Sequence, residues 1–455
     1  MREARRYTPG MELDVLKSAE SAKPQQTEVG SYFVANYPPF SQWTREQSSA
    51  ALEALAQPAP GDPPPLGLYL HIPFCRKRCK FCYFRVYTDK NASEVDVYMD
   101  ALAREIALYK DSPRLRGREF DFVYFGGGTP SFLSNEQLQR LVERINRHWR
   151  WEAAREVTFE CEPGTLKHSK LQTIQRIGVT RLSLGIEHWD DEILEMNGRA
   201  HRSKEIAIAF DWARDVGFAQ INVDLIAGMV GETEDKWKSA VERTLALAPD
   251  SVTIYQMELP FNTVFTRERG EAGGAPVADW PTKRRWVAYA FEQFEKQGYA
   301  VSSGYTLVKP GPNARFVYRD ALWHGGDMVG TGVASFSHVG GVHYQNEDKW
   351  EGYLQQLDAG ALPIARAMKP TPRQLLIREL VLQTKLGRID AAYFRQKFGV
   401  EIVHEFREAY EQMLAQGAME PIDGDTLRLT RGGLLRVDEL LPHFFEPQHR
   451  GVRYT

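Results

Sequence analysis

The sequence predicts an α/β protein: a parallel sheet curled into a full or partial (β/α)6 TIM-like barrel, followed by a small α+β domain of winged-helix type. Three features carry this. Six short apolar runs alternate with amphipathic helical stretches, and strand-then-helix repetition of that kind builds parallel sheets. The pattern changes near residue 366, where helices are followed by a hairpin. At 455 residues the chain is too long for one small core, and 43% hydrophobic with 26% charged residues is an ordinary globular balance.

The elements follow in order. Residues 1–65 read as an irregular N-terminal extension, in which "NYPPF" and "QPAPGDPPP" mark a cap and a linker. The core is expected over 66–365. Its strands fall at 67–72, 121–126, 156–162, 181–187, 221–228 and 251–256, apolar enough to be buried on both faces. Between them, Ser134 with Gln137 forms a capping pair ahead of the stripe Leu138, Leu141, Val142 and Ile145. Val95, Met99, Leu102 and Ile106 make a similar stripe. Over 366–455, helices are expected at 374–384, 390–397 and 401–416, then a hairpin turning at Asp423-Gly424.

Composition narrows the function classes. A net charge of −3 gives no polyanion-binding signal, and the C-terminal "FGVEIVHEFREAYEQ" offers no basic recognition face, so no nucleic-acid partner is expected. No apolar run approaches the roughly 18 to 20 residues of a membrane span, and the start lacks a signal peptide's apolar stretch. A cytoplasmic protein is expected. Four cysteines are too few for a disulfide framework there.

Three of the four lie in "HIPFCRKRCKFCYF" as Cys75, Cys79 and Cys82, on the loop after the first strand. That end of a parallel barrel is where chemistry is usually housed. Three thiolates suit a 4Fe–4S cubane with one iron left open for a ligand. Their spacing also admits a zinc site completed by His71, or plain reduced cysteines on a loop.

The spacing Cys-x3-Cys-x2-Cys after the first strand resembles the signature of the radical S-adenosylmethionine (SAM) superfamily. Within it, "LYLHIPFCRKRCKFC" is similar to the oxygen-independent coproporphyrinogen III dehydrogenase (HemN-like) branch. The resemblance implies a cluster on the three cysteines, one or two molecules of SAM, and a 5'-deoxyadenosyl radical made by reductive cleavage. Tyr69 matches a family tyrosine near the cluster. "YFGGGTPSFL", with Gly126, Gly127, Gly128 and Thr129, matches the glycine-rich segment beside the methionyl end of SAM. Glu160, Glu187, Arg199 and Asp224 fall where the family carries its SAM-binding polar residues, and Ile226 with "GTGVASFSHV" (330–339) matches the lining of a second SAM site. Without the family, Tyr69 reads as core, the glycines as a tight turn, Arg199 as a surface residue and Asp224 as a cap.

Two positions depart from the pattern. True coproporphyrinogen dehydrogenases carry a further cysteine where this chain has Phe84, and relatives commonly have glutamine where it has Glu187. Phe84 is shared with haem chaperones, haem-degrading methylating enzymes and class C methyltransferases. The segments 31–44 and 255–263 resemble the enzyme branches. The leading expectation is therefore methyl transfer to an unsaturated carbon of a small organic substrate. The alternatives are a porphyrinogen or other tetrapyrrole reaction, or a haem chaperone with His71, His188 or His338 as ligand. Arg76, Lys77, Arg78, Lys80 and Arg85 form a basic cluster suited to thiolates, to substrate carboxylates or to an electron donor such as flavodoxin or ferredoxin. The resemblance implies that the C-terminal domain is a substrate-covering lid.

Overall fold

The computed structural model describes residues 34–259, 263–267 and 277–452; residues 31–33 and 260–262 of the two segments just named lie outside them. Six strands lie side by side in chain order and parallel: β1 (Leu66–Ile72), β2 (Phe122–Gly127), β3 (Glu156–Cys161), β4 (Arg181–Glu187), β5 (Gln220–Ala227) and β6 (Ser251–Gln256). These are the six expected strands. β1 does not pair with β6, so the barrel is partial and the sheet continues past both edges.

Beyond β6 runs an antiparallel hairpin, β7 (Ala300–Val301) and β8 (Thr306–Val308). Beyond β1 lie β9 (Asp327–Thr331), parallel to it, then antiparallel β10 (Phe336–Val339), β11 (Val342–Asn346) and β12 (Ile364–Met368).

The helices form where their caps and stripes dictate. α1 (Ser48–Ala56) precedes the barrel, and α2 (Ala92–Tyr109), α3 (Asn135–Ile145), α4 (His168–Arg176), α5 (Asp191–Met196), α6 (Ser203–Val216) and α7 (Glu234–Leu247) fill the crossovers. At α3, Ser134 Oγ accepts from the Gln137 amide at 3.1 Å and Gln137 Oε1 accepts from the Ser134 amide at 3.0 Å. Such a cap contributes about 1 kcal/mol. The stripes on α2 and α3 are buried in the main core, each large apolar side chain contributing roughly 1.5–3 kcal/mol.

Two expectations are corrected here. The extension is not irregular throughout: Val34 and Tyr37 are fully buried, and α1 inserts Ala51 and Leu55 into the main core. Its short apolar pattern is hidden in sequence by the flanking prolines; residues 34–39, 43, 45–47 and 57–65 carry no helix or strand. The expected boundary at 365/366 falls inside β12, and the C-terminal module starts at the helix Pro372–Thr384.

That module has its own core, built from Leu376, Leu380, Phe394, Phe406, Met413 and Phe444 among others, and Val34 and Tyr37 reach into it. The helix expected over 401–416 is broken at Phe406 (φ −113°, ψ 33°), whose buried ring meets Phe444 at 5.7 Å. Gly424 takes φ +67° at the expected turn, and the outgoing β14 (Thr426–Arg428) also pairs with β13 (Arg388–Asp390). No helix among the described residues is long and apolar enough to cross a membrane.

Candidate functional site

Strand pleating gives the site its chemistry. Along β3, Glu160 and Glu162 face the barrel interior while Val157, Phe159 and Cys161 join the outer core. Along β4, Arg181, Ser183, Gly185 and Glu187 face inward, and along β5 Asn222, Asp224 and Ile226 do. They line a cavity of about 420 Å³ at the C-terminal ends of the strands.

The cysteine loop forms one wall. A bridge between Phe74 and Tyr87 closes its base, with the Cys75 amide donating to Tyr87 O at 3.0 Å. The Cys82 amide donates to Cys79 O at 3.1 Å, bringing the second and third cysteines round one turn. Thr129 Oγ1 donates to Cys75 Sγ at 3.3 Å, and Arg199 Nη1 to Cys79 Sγ at 3.2 Å. Burial pushes the Cys75 thiol up to about 12 and the Cys82 thiol to about 11. Only a directly bound cation turns such thiols into thiolates at neutral pH.

The donor set fits a cluster better than zinc. Cys75, Cys79 and Cys82 all line the cavity, and three thiolates that each hold one iron would leave the fourth iron of a cluster open. Cys161 is buried in the main core at the edge of the cavity, and burial raises the pKa of its thiol. His71 is buried with its ring packed against Gly127, and burial pulls its pKa down to about 4.

Opposite the cysteines stands a crescent of carboxylates. Glu160 accepts from Tyr124 Oη at 2.7 Å and from the Gly127 amide at 3.3 Å. Burial raises it to about 7, with Asp224 adding to the rise and the Tyr124 bond opposing it. Glu187, also raised to about 7 by burial, is drawn back by Arg199, 3.6 Å away. It sits at φ +62°, a left-handed conformation that is unusual for a glutamate and ends β4 abruptly. Asp224 accepts from Ser183 Oγ at 2.9 Å and Asn222 Nδ2 at 2.8 Å, and burial raises its pKa. Arg199 donates to Gly185 O as well as to Cys79, and despite burial Cys79 and Glu187 hold its pKa above the usual value.

Close backbone approach explains two glycines. Gly127 has φ +109°, and a Cβ there would lie 2.6 Å from the His71 ring; at Gly128 it would lie 2.9 Å from Ile72 O. Both line the cavity with Thr129.

The structure brings together Cys75, Cys79, Cys82, Gly127, Gly128, Thr129, Glu160, Glu187, Arg199, Asp224 and Ile226 around one space. Two expectations differ. Tyr69 does not itself line the cavity; its ring stacks on Tyr124 at 5.7 Å, and Tyr124 supplies the wall. The segment 330–339 faces α2 instead: the Gly332 amide donates to Glu105 Oε2 at 2.7 Å and the Val333 amide to Tyr98 Oη at 3.0 Å. Buried acceptors on α2 claim that turn.

Several cavity residues escaped the sequence reading: Tyr124, Glu162, Arg181 and Tyr255 in the barrel, and Arg284, Asp438 and Glu439 at the roof. The barrel members were signalled by polar residues at every second position. The roof is held by Arg284 to Glu439 at 2.5 Å and by Tyr305 Oη to Asp438 Oδ2 at 2.5 Å, so the C-terminal module closes the cavity. Of the basic cluster, Arg76 pairs with Glu162, Arg85 with Asp348, and Arg78 donates to Cys82 O. Their first use is to fasten the loop.

Comparison with known proteins agrees with this geometry. Residues 69–244 match the model of the radical SAM superfamily. The chain is 30% identical to the heme chaperone HemW of Mycobacterium tuberculosis (strain ATCC 25618 / H37Rv) over 405 residues, covering 87% of this chain and 98% of the relative. It is 25% identical to the oxygen-independent coproporphyrinogen III oxidase of Escherichia coli (strain K12) over 393 residues, 82% of this chain and 84% of the relative. The solved structure of coproporphyrinogen III oxidase (HemN) from Escherichia coli superposes with a TM-score of 0.78 at 23% identity, covering 91% of this chain and 96% of that one, and shows the same fold. The protein is thus a radical SAM protein, with a 4Fe–4S cluster and SAM as its cofactors. Within the superfamily it belongs to the HemN-like branch, which includes both oxidases and heme chaperones.

Proposed function

We propose that this protein is a radical SAM enzyme that transfers a one-carbon unit to an unsaturated carbon of a small organic substrate held in the roofed cavity. The carrying observation is the cavity itself, in which the three cysteines and the carboxylate crescent share one space under a roof from another module. When bound, the cluster and SAM supply a 5'-deoxyadenosyl radical. The chain's own residues do the rest. Arg199 suits the SAM carboxylate, and Glu160, Glu187 and Asp224 suit ribose hydroxyls. The roof pairs keep water from a reactive intermediate.

Methyl transfer is supported by Phe84, which lines the cavity where a further cysteine would favour porphyrinogen chemistry, and by the apolar ledge of Ile226, Met257 and Phe81 beside the crescent. That ledge suits a second SAM. The haem chaperone reading is weakened because His71, His188 and His338 are buried and no histidine among the described residues lines the cavity. Lys77 and Lys80 on the cysteine loop suit an acidic electron donor of the flavodoxin or ferredoxin kind, and free thiols with a labile cluster suit the cytoplasm.

The test is anaerobic incubation of the reconstituted protein with SAM and dithionite. 5'-Deoxyadenosine together with S-adenosylhomocysteine supports methyl transfer. Deoxyadenosine alone supports a dehydrogenase-like reaction, and neither product with stoichiometric haem binding returns the chaperone.

A further inference from the structure

A closed ring of polar contacts surrounds the cysteine loop, and one residue sits at its hub. Glu162, just past the end of β3, is 8% exposed. It receives Arg76 in a fork, with Nε to Oε2 at 3.1 Å and Nη2 to Oε1 and Oε2 at 3.0 and 2.9 Å. Its Oε1 also accepts from the Gly164 amide at 3.2 Å and lies 3.0 Å from His201 Nδ1. Its own amide donates to Ser131 Oγ at 3.1 Å.

Each partner leads to a different part of the site. Arg76 follows Cys75 directly, so that contact fixes the start of the cysteine loop. His201 is two residues after Arg199, and its Nε2 lies 3.2 Å from Ile186 O, next to the left-handed Glu187. Arg199 then closes the ring through Gly185 O and Cys79 Sγ. The path runs from Cys75 through Arg76, Glu162, His201 and the end of β4 to Arg199 and back to Cys79. Charge-assisted, bidentate bonds of this kind fix geometry as well as adding energy.

A carboxylate so buried is costly unless every lone pair is used, and here four nitrogen atoms from three residues make five contacts with it. The cluster loop, the arginine loop and the carboxylate-bearing strand end come from separate crossovers. Glu162 joins them through Arg76 and His201, alongside the contacts of Arg199 with Cys79 and Gly185.

We infer that Glu162 is a positioning residue that locks the cysteine loop to the Arg199 loop and thereby sets how SAM is oriented against the cluster. It acts through Arg76 and His201. The inference rests on the radical SAM reading of the cavity and not on the reaction chosen for it.

The test uses the reconstituted holoprotein, comparing wild type with Glu162→Gln, in which the amide group places a donor against Arg76 or His201. SAM affinity and the change that SAM induces in the electron paramagnetic resonance signal of the reduced cluster are measured at equal iron and sulfide content. A tenfold or greater weakening of SAM affinity, with the induced change lost or shifted to higher SAM, is expected. The same substitution on an Arg199→Lys background should add less than threefold, because both act on one path. Equal affinity and an unaltered signal, or fully additive losses, overturn the inference. Should Glu162→Gln fail to fold, Arg76→Met decides: its side chain is 38% exposed, and at least a threefold weakening is expected, with no change overturning the inference. Wild type that fails to bind SAM would sink the cofactor reading itself, which keeps the two failures apart.

Discussion

The two faces of strands β3, β4 and β5 share one period and have opposite chemistry. Outward, Val157, Phe159, Leu182, Leu184, Ile186, Ile221, Val223 and Leu225 are all 1% exposed or less and pack against the helices. Inward, Glu156, Thr158, Glu160, Arg181, Ser183, Glu187, Asn222 and Asp224 are polar and still half-buried or buried. The outer face supplies the burial energy that fixes the fold. The inner face costs energy, partly offset by bonds such as Ser251 Oγ to Asn222 Oδ1 at 2.8 Å and Asn222 Nδ2 to Ser183 Oγ at 2.9 Å. A protein keeps such an interior only where function needs it.

Substitutions on the two sides should therefore fail in different ways. The largest effect is expected from Cys82→Ser. Loss of one iron ligand should abolish the cluster and all SAM cleavage, read by iron analysis and deoxyadenosine yield, while the apo-protein unfolds within about 1 kcal/mol of wild type. Activity retained without the cluster would refute the assignment of the site. Next is Phe159→Ala on the outer face, fully buried against Phe125 at 5.1 Å. It should cost about 3–5 kcal/mol in denaturant unfolding yet leave SAM affinity unchanged in the fraction that folds. A change in affinity at matched folded protein would show that the faces are not separable.

The six parallel strands and the cysteine loop were legible in the sequence because apolar runs, caps and spacing are local signals. What escaped was set by pairing at a distance. β7 and β8 are only two and three residues long, and β9 to β12 are assigned to the sheet by partners such as Gly67 with Met328 and Tyr344 with Ala367. The site residues on the family pattern were named, but Glu162 and Arg181 were not, although Glu162 lies two positions from Glu160 and Arg181 is on the same strand and face as Glu187. Reading β3 to β5 as uniformly apolar hid that alternation. The roof was beyond reach: Asp438 and Glu439 meet the barrel only through tertiary contacts with Tyr305 and Arg284.

A smaller effect tests the inner face by titration. Glu160 is raised from 4.5 to about 7 in the folded apo-protein, chiefly by burial. The folded state then binds its proton more tightly than the unfolded state does. Stability is full below the unfolded value and declines as pH rises through about 7. Glu105 and Glu187 are raised to about 7 as well and add to the same slope. Glu160→Gln should flatten the fall in apo-protein Tm between pH 5 and 8, measured by calorimetry. An unchanged slope would mean that solvent in the cavity already relieves the carboxylate.

The smallest effect is expected at Phe84, and it sharpens the comparison at the cavity mouth. Its side chain is 49% exposed yet lines the cavity and meets the Tyr83 ring at 4.6 Å. So little burial gives it little hold on the fold, and Phe84→Ala should move unfolding by no more than about 0.5 kcal/mol. Phe84→Cys restores the residue type that the coproporphyrinogen dehydrogenases carry there. Because Cys75, Cys79 and Cys82 already form the three-thiolate set, the new thiol should leave iron content and the spectrum of the reduced cluster unchanged while altering how SAM cleavage divides among products. A changed cluster spectrum would mean that position 84 reaches the irons, and the cavity mouth would then have to be counted as part of the metal site.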